Sequence, residues 1–111
     1  MIINFVERQL SIEGVQHQLT FPIDDAFEYN GMVIVLFDPD SPAEDFRPFH
    51  NLIAVDPSGQ QKWEAELPTS SPGDRYYRIS SKNPLTVYSA QSYDCVIDPS
   101  TGRIVTKTFT K

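Results

Sequence analysis

A run of six consecutive apolar residues, Met32–Phe37, constrains the fold of this chain more than any other feature. It contains three β-branched residues, follows Asn30-Gly31 and ends at Asp38-Pro39. Side chains alternate between the two faces of a strand, so a strand that is apolar throughout must be covered on both faces. Six residues are too few for a typical buried helix, and β-branching favours extended backbone. The run therefore predicts the central strand of a β-rich domain.

The segment before this run has two interpretations. Asp24 is able to cap a single helical turn that packs Phe27 inward. Alternatively, residues 26–29 pair with the central run across Asn30-Gly31, because Asn-Gly is the strongest short signal for a two-residue hairpin turn. Of the two, we expect the hairpin.

The rest of the chain repeats a strand-and-turn pattern. Segments rich in β-forming residues recur about every ten residues, separated by turns with proline, glycine or asparagine. The pattern predicts a single all-β domain of about eight to ten mostly antiparallel strands, as a curved meander or a sandwich-like roll. We divide it into N-terminal strands with the central strand (1–37), an acidic proline-rich loop (38–50) and hairpin repeats (51–111). The late strands are expected to pair in sequence order.

Alternation along these segments also predicts which side chains form the core. The expected core residues are Phe5, Leu19, Val33, Val35, Ile53, Val55, Trp63, Ile79, Val87, Cys95, Ile97 and Ile104.

Two segments resemble each other, at residues 53–59 and 96–102. Each has a strand that runs into Asp-Pro-Ser and is followed by a glycine, and the shared aspartates Asp56 and Asp98 lie 42 positions apart. The simplest role for both aspartates is to cap their own turns through side-chain hydrogen bonds to the backbone.

The first copy continues to Trp63 and reads IAVDPSGQQKW over residues 53–63. This stretch resembles the pyrroloquinoline-quinone-type β-propeller repeat, in which an Asp-rich turn with glycine precedes a tryptophan on the next strand. The resemblance implies a strand, a turn and a returning strand. It implies neither a propeller, because two units do not close a ring, nor a bound quinone, since matching cofactor residues are not visible. The second copy has Val105 or Lys107 in the region of the tryptophan.

Residues 93–104, which read YDCVIDPSTGRI, resemble the ending of a type of small uncharacterised bacterial protein. That resemblance implies a bacterial origin and carries no activity with it.

The net charge of the chain limits the classes of partner that it can bind. Its 111 residues carry a formal net charge of −6 and no cluster of lysine and arginine. Such a chain lacks the electrostatic footprint of a nucleic-acid binder and is repelled by anionic membranes, whereas a basic protein partner is favoured. The single Cys95 has no internal disulfide partner, which favours a cytoplasmic location. The apolar start of the chain lacks a basic region and meets Glu7-Arg8, so we expect neither a signal peptide nor a membrane span.

Two groups of residues are candidate binding sites. The first is the loop after the central run, which holds Asp38, Asp40, Glu44 and Asp45. Long ordered loops are disproportionately functional, although a solvated connection is the plainer interpretation. Several carboxylates can gather a hard cation, but this spacing is not that of a calcium-binding loop, so no metal is predicted.

The second candidate is the one cluster that mixes basic and aromatic residues, around Arg75-Tyr76-Tyr77-Arg78. Strict alternation places Tyr76 and Arg78 on one face and Tyr77 on the other, in the core. Tyr76 and Arg78, together with Tyr88 on a neighbouring strand, are then expected to form an exposed binding patch, because tyrosine and arginine are common interface anchors.

Catalytic groups are sparse. His17 is expected to pack within its strand, and His50 stands at the end of the acidic loop without a serine or cysteine at motif spacing. A Cys95–His50 pair is a spatial possibility, although a buried, inert thiol is the simpler expectation for Cys95. We therefore expect no enzyme and no cofactor.

These observations favour a non-catalytic protein-interaction domain of bacterial or phage origin. One concrete form is an acidic immunity-type protein that masks a basic partner, with its charge steering association. The alternative is a small-ligand or carbohydrate-binding module that uses a surface of tyrosine and tryptophan.

Overall fold

The computed structural model describes residues 1–41 and 47–110. Within these residues the chain forms eleven strands and no helix. The strands are β1 (Ile3–Val6), β2 (Gln9–Ile12), β3 (Val15–Gln18), β4 (Ile23–Tyr29), β5 (Met32–Phe37), β6 (Leu52–Val55), β7 (Gln61–Glu64), β8 (Tyr76–Lys82), β9 (Leu85–Ser89), β10 (Tyr93–Ile97) and β11 (Ile104–Phe109). The all-β prediction is confirmed, with one strand more than the expected maximum. None of the described residues belongs to a helix long and apolar enough to cross a membrane.

The strands form three antiparallel sheets in which neighbours in sequence are neighbours in space. The first sheet has the order β1-β2-β3, the second β4-β5-β6-β7 and the third β8-β9-β10-β11. The late strands therefore pair in sequence order, as predicted. The three sheets do not close into a propeller ring.

The hairpin before the central strand is confirmed. Asn30 and Gly31 have φ angles of 47° and 81°, as a two-residue turn with the twist of a hairpin requires. Tyr29 pairs with Met32 across this turn. The alternative of a helical turn capped by Asp24 is wrong, because residues 23–29 form β4.

The central strand β5 is covered on both faces, as its sequence predicts. Ile34 and Leu36 belong to a buried cluster shared with the third sheet, whereas Val33, Val35 and Phe37 belong to a second cluster shared with the first sheet. All five side chains are at most 5% exposed. The second sheet is thus the middle layer of three, and β5 lies at its centre.

Most of the predicted core is confirmed. Val33, Val35, Ile53, Val55, Trp63, Val87, Cys95 and Ile97 are buried. Leu19, Ile79 and Ile104 are partly buried against the two clusters. The prediction for Phe5 is wrong, since its side chain is 37% exposed. Phe5 pairs with the buried Leu10 but stands on β1, an edge strand of the narrower first sheet.

A buried asparagine ties the middle sheet to the third sheet. The Asn51 side chain donates hydrogen bonds to the backbone carbonyls of Phe37 (3.1 Å) and Tyr76 (2.7 Å). Its side-chain oxygen accepts the N–H of Tyr76 at 2.8 Å. Since an unpaired polar group is costly when buried, these three bonds fix the start of β8 relative to the end of β5.

The two turns of the internal repeat occupy equivalent places, between the third and fourth strands of the second and third sheets. Asp56 and Asp98 each accept the N–H two residues ahead, from Ser58 and Ser100, at 2.9 Å. The turn-capping role predicted for both aspartates is confirmed. The hydrogen bond from the Ser58 side chain is the largest cause of the lowered pKa of Asp56.

The glycine of each repeated turn receives a ring from the preceding sheet. The Trp63 ring of the second sheet lies on Gly102 of the third, and its Nε1–H donates to the carbonyl of Pro99 at 2.9 Å. In the same way, the His17 ring of the first sheet lies on Gly59 of the second. A Cβ at Gly102 would stand 2.6 Å from the tryptophan ring, so only glycine allows this approach.

Replacing Gly102 with alanine therefore combines two costs. We expect a loss of about 3 kcal/mol in the free energy of unfolding, from backbone strain at positive φ and from displacement of Trp63. The matched control is Gly31→Ala, which has a similar φ of 81° but nothing within 4 Å of the added Cβ; it should lose about 1 kcal/mol. Urea unfolding followed by circular dichroism measures both. Equal losses in the two variants would show that the contact with Trp63 contributes nothing.

Candidate functional site

Four aspartates gather at one end of the middle sheet. We name them the acidic cluster; its members are Asp24, Asp25, Asp38 and Asp40. Partial burial raises the pKa of Asp24, and the charges of Asp38, Asp25 and Asp40 raise it further. Such like-charge effects act over short distances, so Asp25, Asp38 and Asp40 lie near Asp24.

The register of the β4–β5 hairpin creates this cluster. Ile23 at the start of β4 pairs with Phe37 at the end of β5, and a register shift between Ile23 and Asp25 leaves Asp24 unpaired. The N–H of Asp38 donates to the carbonyl of Pro22 at 2.9 Å. The residues that enter β4 and leave β5 are thereby held side by side.

The first turn of the acidic loop is held by local hydrogen bonds. The Asp38 carboxylate accepts the N–H of Asp40 at 2.9 Å, and the Ser41 hydroxyl donates to the Asp38 carbonyl at 2.7 Å. The guanidinium of Arg75 donates to the carbonyl of Pro39. Both predicted aspartates of the loop therefore stand on an organised backbone.

Sequence reasoning found half of this cluster. Asp38 and Asp40 were predicted, and the structure brings them together. Glu44 and Asp45, the other two predicted carboxylates, lie outside the described residues. Asp24 and Asp25 were missed. The sequence does contain a signal for them, because pairing residues outwards from the Asn-Gly turn places both aspartates opposite the end of the central strand.

Within residues 1–41 and 47–110, no ion pair that the structure shows uses a carboxylate of the acidic cluster, although the guanidinium of Arg75 lies on the turn that carries Asp38 and Asp40. The pairs that the structure shows there use the carboxylates of Glu13, Glu28, Asp56 and Glu64. Within the same residues, no group of three or more histidine, cysteine or carboxylate side chains is arranged to hold a metal ion. What this arrangement can do chemically is attract a positively charged group.

The predicted patch of Tyr76, Arg78 and Tyr88 is only partly assembled. Arg78 and Tyr88 pair across β8 and β9, with the guanidinium carbon 4.3 Å from the centre of the tyrosine ring. Tyr76, by contrast, is completely buried, and its hydroxyl donates to the carbonyl of Glu66. The expectation that Tyr76 is exposed and Tyr77 is in the core is wrong, since Tyr77 is 45% exposed.

A β-bulge explains this reversal. The pairing of β8 with β9 shifts between Tyr76 and Arg78, so that Tyr77 is an extra residue without a partner on β9. An extra residue moves the following side chains to the opposite face. Tyr76 and Ile79 consequently share the inner face. Tyr76 and Trp63 are both buried. Of the residues Tyr76, Tyr88 and Trp63, only Tyr88 therefore remains for the aromatic surface that was predicted for a ligand-binding module.

The structure does not bring the histidines and the cysteine into a catalytic arrangement. Cys95 is fully buried between the second and third sheets, which confirms the expected burial. His50 instead contacts the carbonyl of Ala65 and the carboxylate of Glu64. His17 is partly buried on Gly59, and its Nε2 is a buried atom without a hydrogen-bond partner among the described residues.

The buried thiol and phenol give the protein a testable pH dependence. Burial raises the pKa of Cys95 to about 11, and burial also raises the pKa of Tyr76. Both groups therefore hold their protons more tightly in the folded state than in the unfolded chain. Their contribution to stability is complete below the pKa of the unfolded thiol, which is about 8.5, and decreases as pH rises towards 11.

We expect the free energy of unfolding to fall between pH 8.5 and pH 10.5, and to fall less steeply in Cys95→Ala. Urea unfolding at several pH values measures the two slopes, and the comparison of slopes is independent of any cavity that the variant creates. Identical slopes would contradict the assignment to Cys95. A thiol reagent that labels folded protein at pH 8 as fast as unfolded protein would also contradict it.

Comparison with known proteins gives a family and no activity. No curated protein and no solved structure matches the chain. Residues 1–109 match the family model described as "Domain of unknown function (DUF7957)". This match spans nearly the whole chain, and the protein is therefore a member of the DUF7957 family.

Proposed function

We propose that the protein is a non-catalytic interaction domain that binds a basic protein through the acidic cluster. The observation that carries this proposal is the register of the β4–β5 hairpin, which with the hydrogen bond from Asp38 to Pro22 holds the four aspartates at one end of the sheet. Burial raises the pKa of Asp24, and the three neighbouring aspartates raise it further. Holding four carboxylates together is unfavourable in the free protein, and a cationic partner relieves that repulsion. The net charge of the whole chain, −6, has the same sign as the cluster and steers such a partner from a distance.

The rigidity of the cluster also supports this function. Asp24 and Asp25 belong to β4, while Asp38 and Asp40 are fixed by the turn that follows β5. Side chains on ordered backbone lose less conformational freedom on binding than side chains on a mobile loop. An acidic surface that is already organised is therefore suited to fast association with a complementary basic surface.

The concrete form that we favour is an immunity-type protein of bacterial or phage origin, acting in the cytoplasm by covering a basic toxin. The support for this form is chemical: an acidic, organised patch on a small domain with a single, buried thiol. A gene for a basic, toxin-like protein beside the gene for this chain is what the proposal requires.

The test is to express the proteins encoded by neighbouring genes and to measure their association with this chain at 50 and 300 mM NaCl. A basic partner should bind, with an association rate that falls about tenfold over this range, because salt screens the attraction. Asp24→Asn/Asp40→Asn should slow association further at low salt. The matched control, Glu7→Gln/Glu28→Gln, removes the same charge elsewhere and should have a smaller effect.

Two results would contradict the proposal. One is that no neighbouring product binds. The other is that a partner binds but responds equally to both double variants, since net charge rather than the acidic cluster would then govern association.

A further inference from the structure

A cleft of about 260 Å³ lies between the first and second sheets. It is bounded by the last residue of β3 and the three residues that follow it (18–21), by the end of β5, and by β6 and β7. Its apolar lining consists of Leu19, Phe21, Phe37, Ile53 and Val55. Its polar lining consists of Gln18, Thr20, His50, Gln61 and Glu64, and Gly59 completes the wall.

The register of the middle sheet explains why apolar and polar residues meet here. Ile53 pairs with Glu64, and Val55 pairs with Gln61. Directly paired residues project from the same face of a sheet. On β6 this face is buried in the core, whereas on the edge strand β7 it is exposed. The face that packs against the first sheet thus continues into open solvent, and the cleft lies at that boundary.

The floor of the cleft is rigid and aromatic. The ring of Phe21 packs edge-to-face against Phe37 at 5.5 Å and against Phe49 at 4.9 Å. Ile53 and Val55 beside them are at most 4% exposed. A preformed apolar surface of this kind suits a flat hydrocarbon or aromatic body, as is common in ligand pockets.

The rim of the cleft is rich in hydrogen-bond acceptors and carries negative charge. The Nδ1 atom of His50 lies 3.0 Å from the carbonyl of Ala65. A carbonyl only accepts, so Nδ1 carries a hydrogen here, which makes Nε2 the one ring atom that is able to accept. The Glu64 carboxylate stands 4.0 Å from Nδ1 and is 52% exposed. Among the described residues that line the cleft, none is lysine or arginine.

We propose that this cleft binds a small organic cation, namely a protonated primary amine carried on an aromatic ring. The ammonium group donates to the Glu64 carboxylate and to Nε2 of His50, while the ring packs on Phe21. An aromatic carboxylate of the same size is disfavoured, because its charge faces Glu64 without a neighbouring cation. This site shares no residue with the acidic cluster, and neither proposal depends on the other.

The probes that test it are 2-phenylethylamine and its anionic counterpart 3-phenylpropionate. Nuclear magnetic resonance titration of the labelled protein at pH 7.5 should show saturable binding of the amine, with a dissociation constant of about 1 mM. The amide signals that move should be those of residues 19–21 and 53–55. The carboxylate should bind at least about tenfold more weakly, the change expected for one charge-assisted hydrogen bond.

Two variants identify the carboxylate that binds the amine. Glu64→Gln should weaken the amine about tenfold, whereas Glu28→Gln, which removes one carboxylate on β4, should leave the affinity unchanged. The proposal is overturned if the amine does not saturate, if the carboxylate binds equally well, or if the two variants weaken the amine equally. The comparison of the two probes uses the unmodified protein, so it stands even if a variant fails to fold.

Discussion

The burial of β5 on both faces is the interaction on which the rest of the structure depends. Five of its side chains are divided between two buried clusters, one towards each outer sheet. Each fully buried aliphatic side chain contributes about 1.5–3 kcal/mol, so this one strand supplies a large part of the apolar stabilisation. Because no single partner sheet can cover both faces, the chain needs a sheet before β4 and another after β7.

The same layering positions both proposed binding sites. The acidic cluster forms where the chain enters β4 and leaves β5, at the end of the middle layer. The cleft forms where the buried face of β6 continues onto the exposed face of β7, and Phe37 at the end of β5 also lines it. Both sites form without any residue departing from the backbone conformation of its strand or turn. The exposed charged residues of these two sites can therefore be replaced with little effect on the core.

The internal repeat has a structural meaning that sequence alone did not reveal. Its two turns offer a glycine to the ring of the preceding sheet, His17 in one case and Trp63 in the other. In the third sheet, Thr106 pairs with Val96 in the way that Trp63 pairs with Ala54 in the second. Thr106 is exposed. The stack of sheets ends where this position changes from an aromatic to a polar residue.

Whether a structural feature could be predicted depends on how few neighbouring residues determine it. The Asn-Gly turn and the uninterrupted apolar run fixed β4, β5 and their register, because both act over a few residues. The bulge that buries Tyr76 leaves no such local mark, and it reversed the expected faces of Tyr76 and Tyr77. The division into three layers was also not predicted, since it depends on contacts such as Trp63 with Gly102 between distant parts of the chain.

Amide hydrogen exchange in the folded protein tests the central claim most directly. If β5 is the doubly covered centre, the amides of residues 33–36 exchange only through global unfolding, with free energies equal to that from urea unfolding. The amides of the exposed edge strand β11 exchange through smaller openings. Exchange of residues 33–36 at free energies as low as those of β11 would contradict the account.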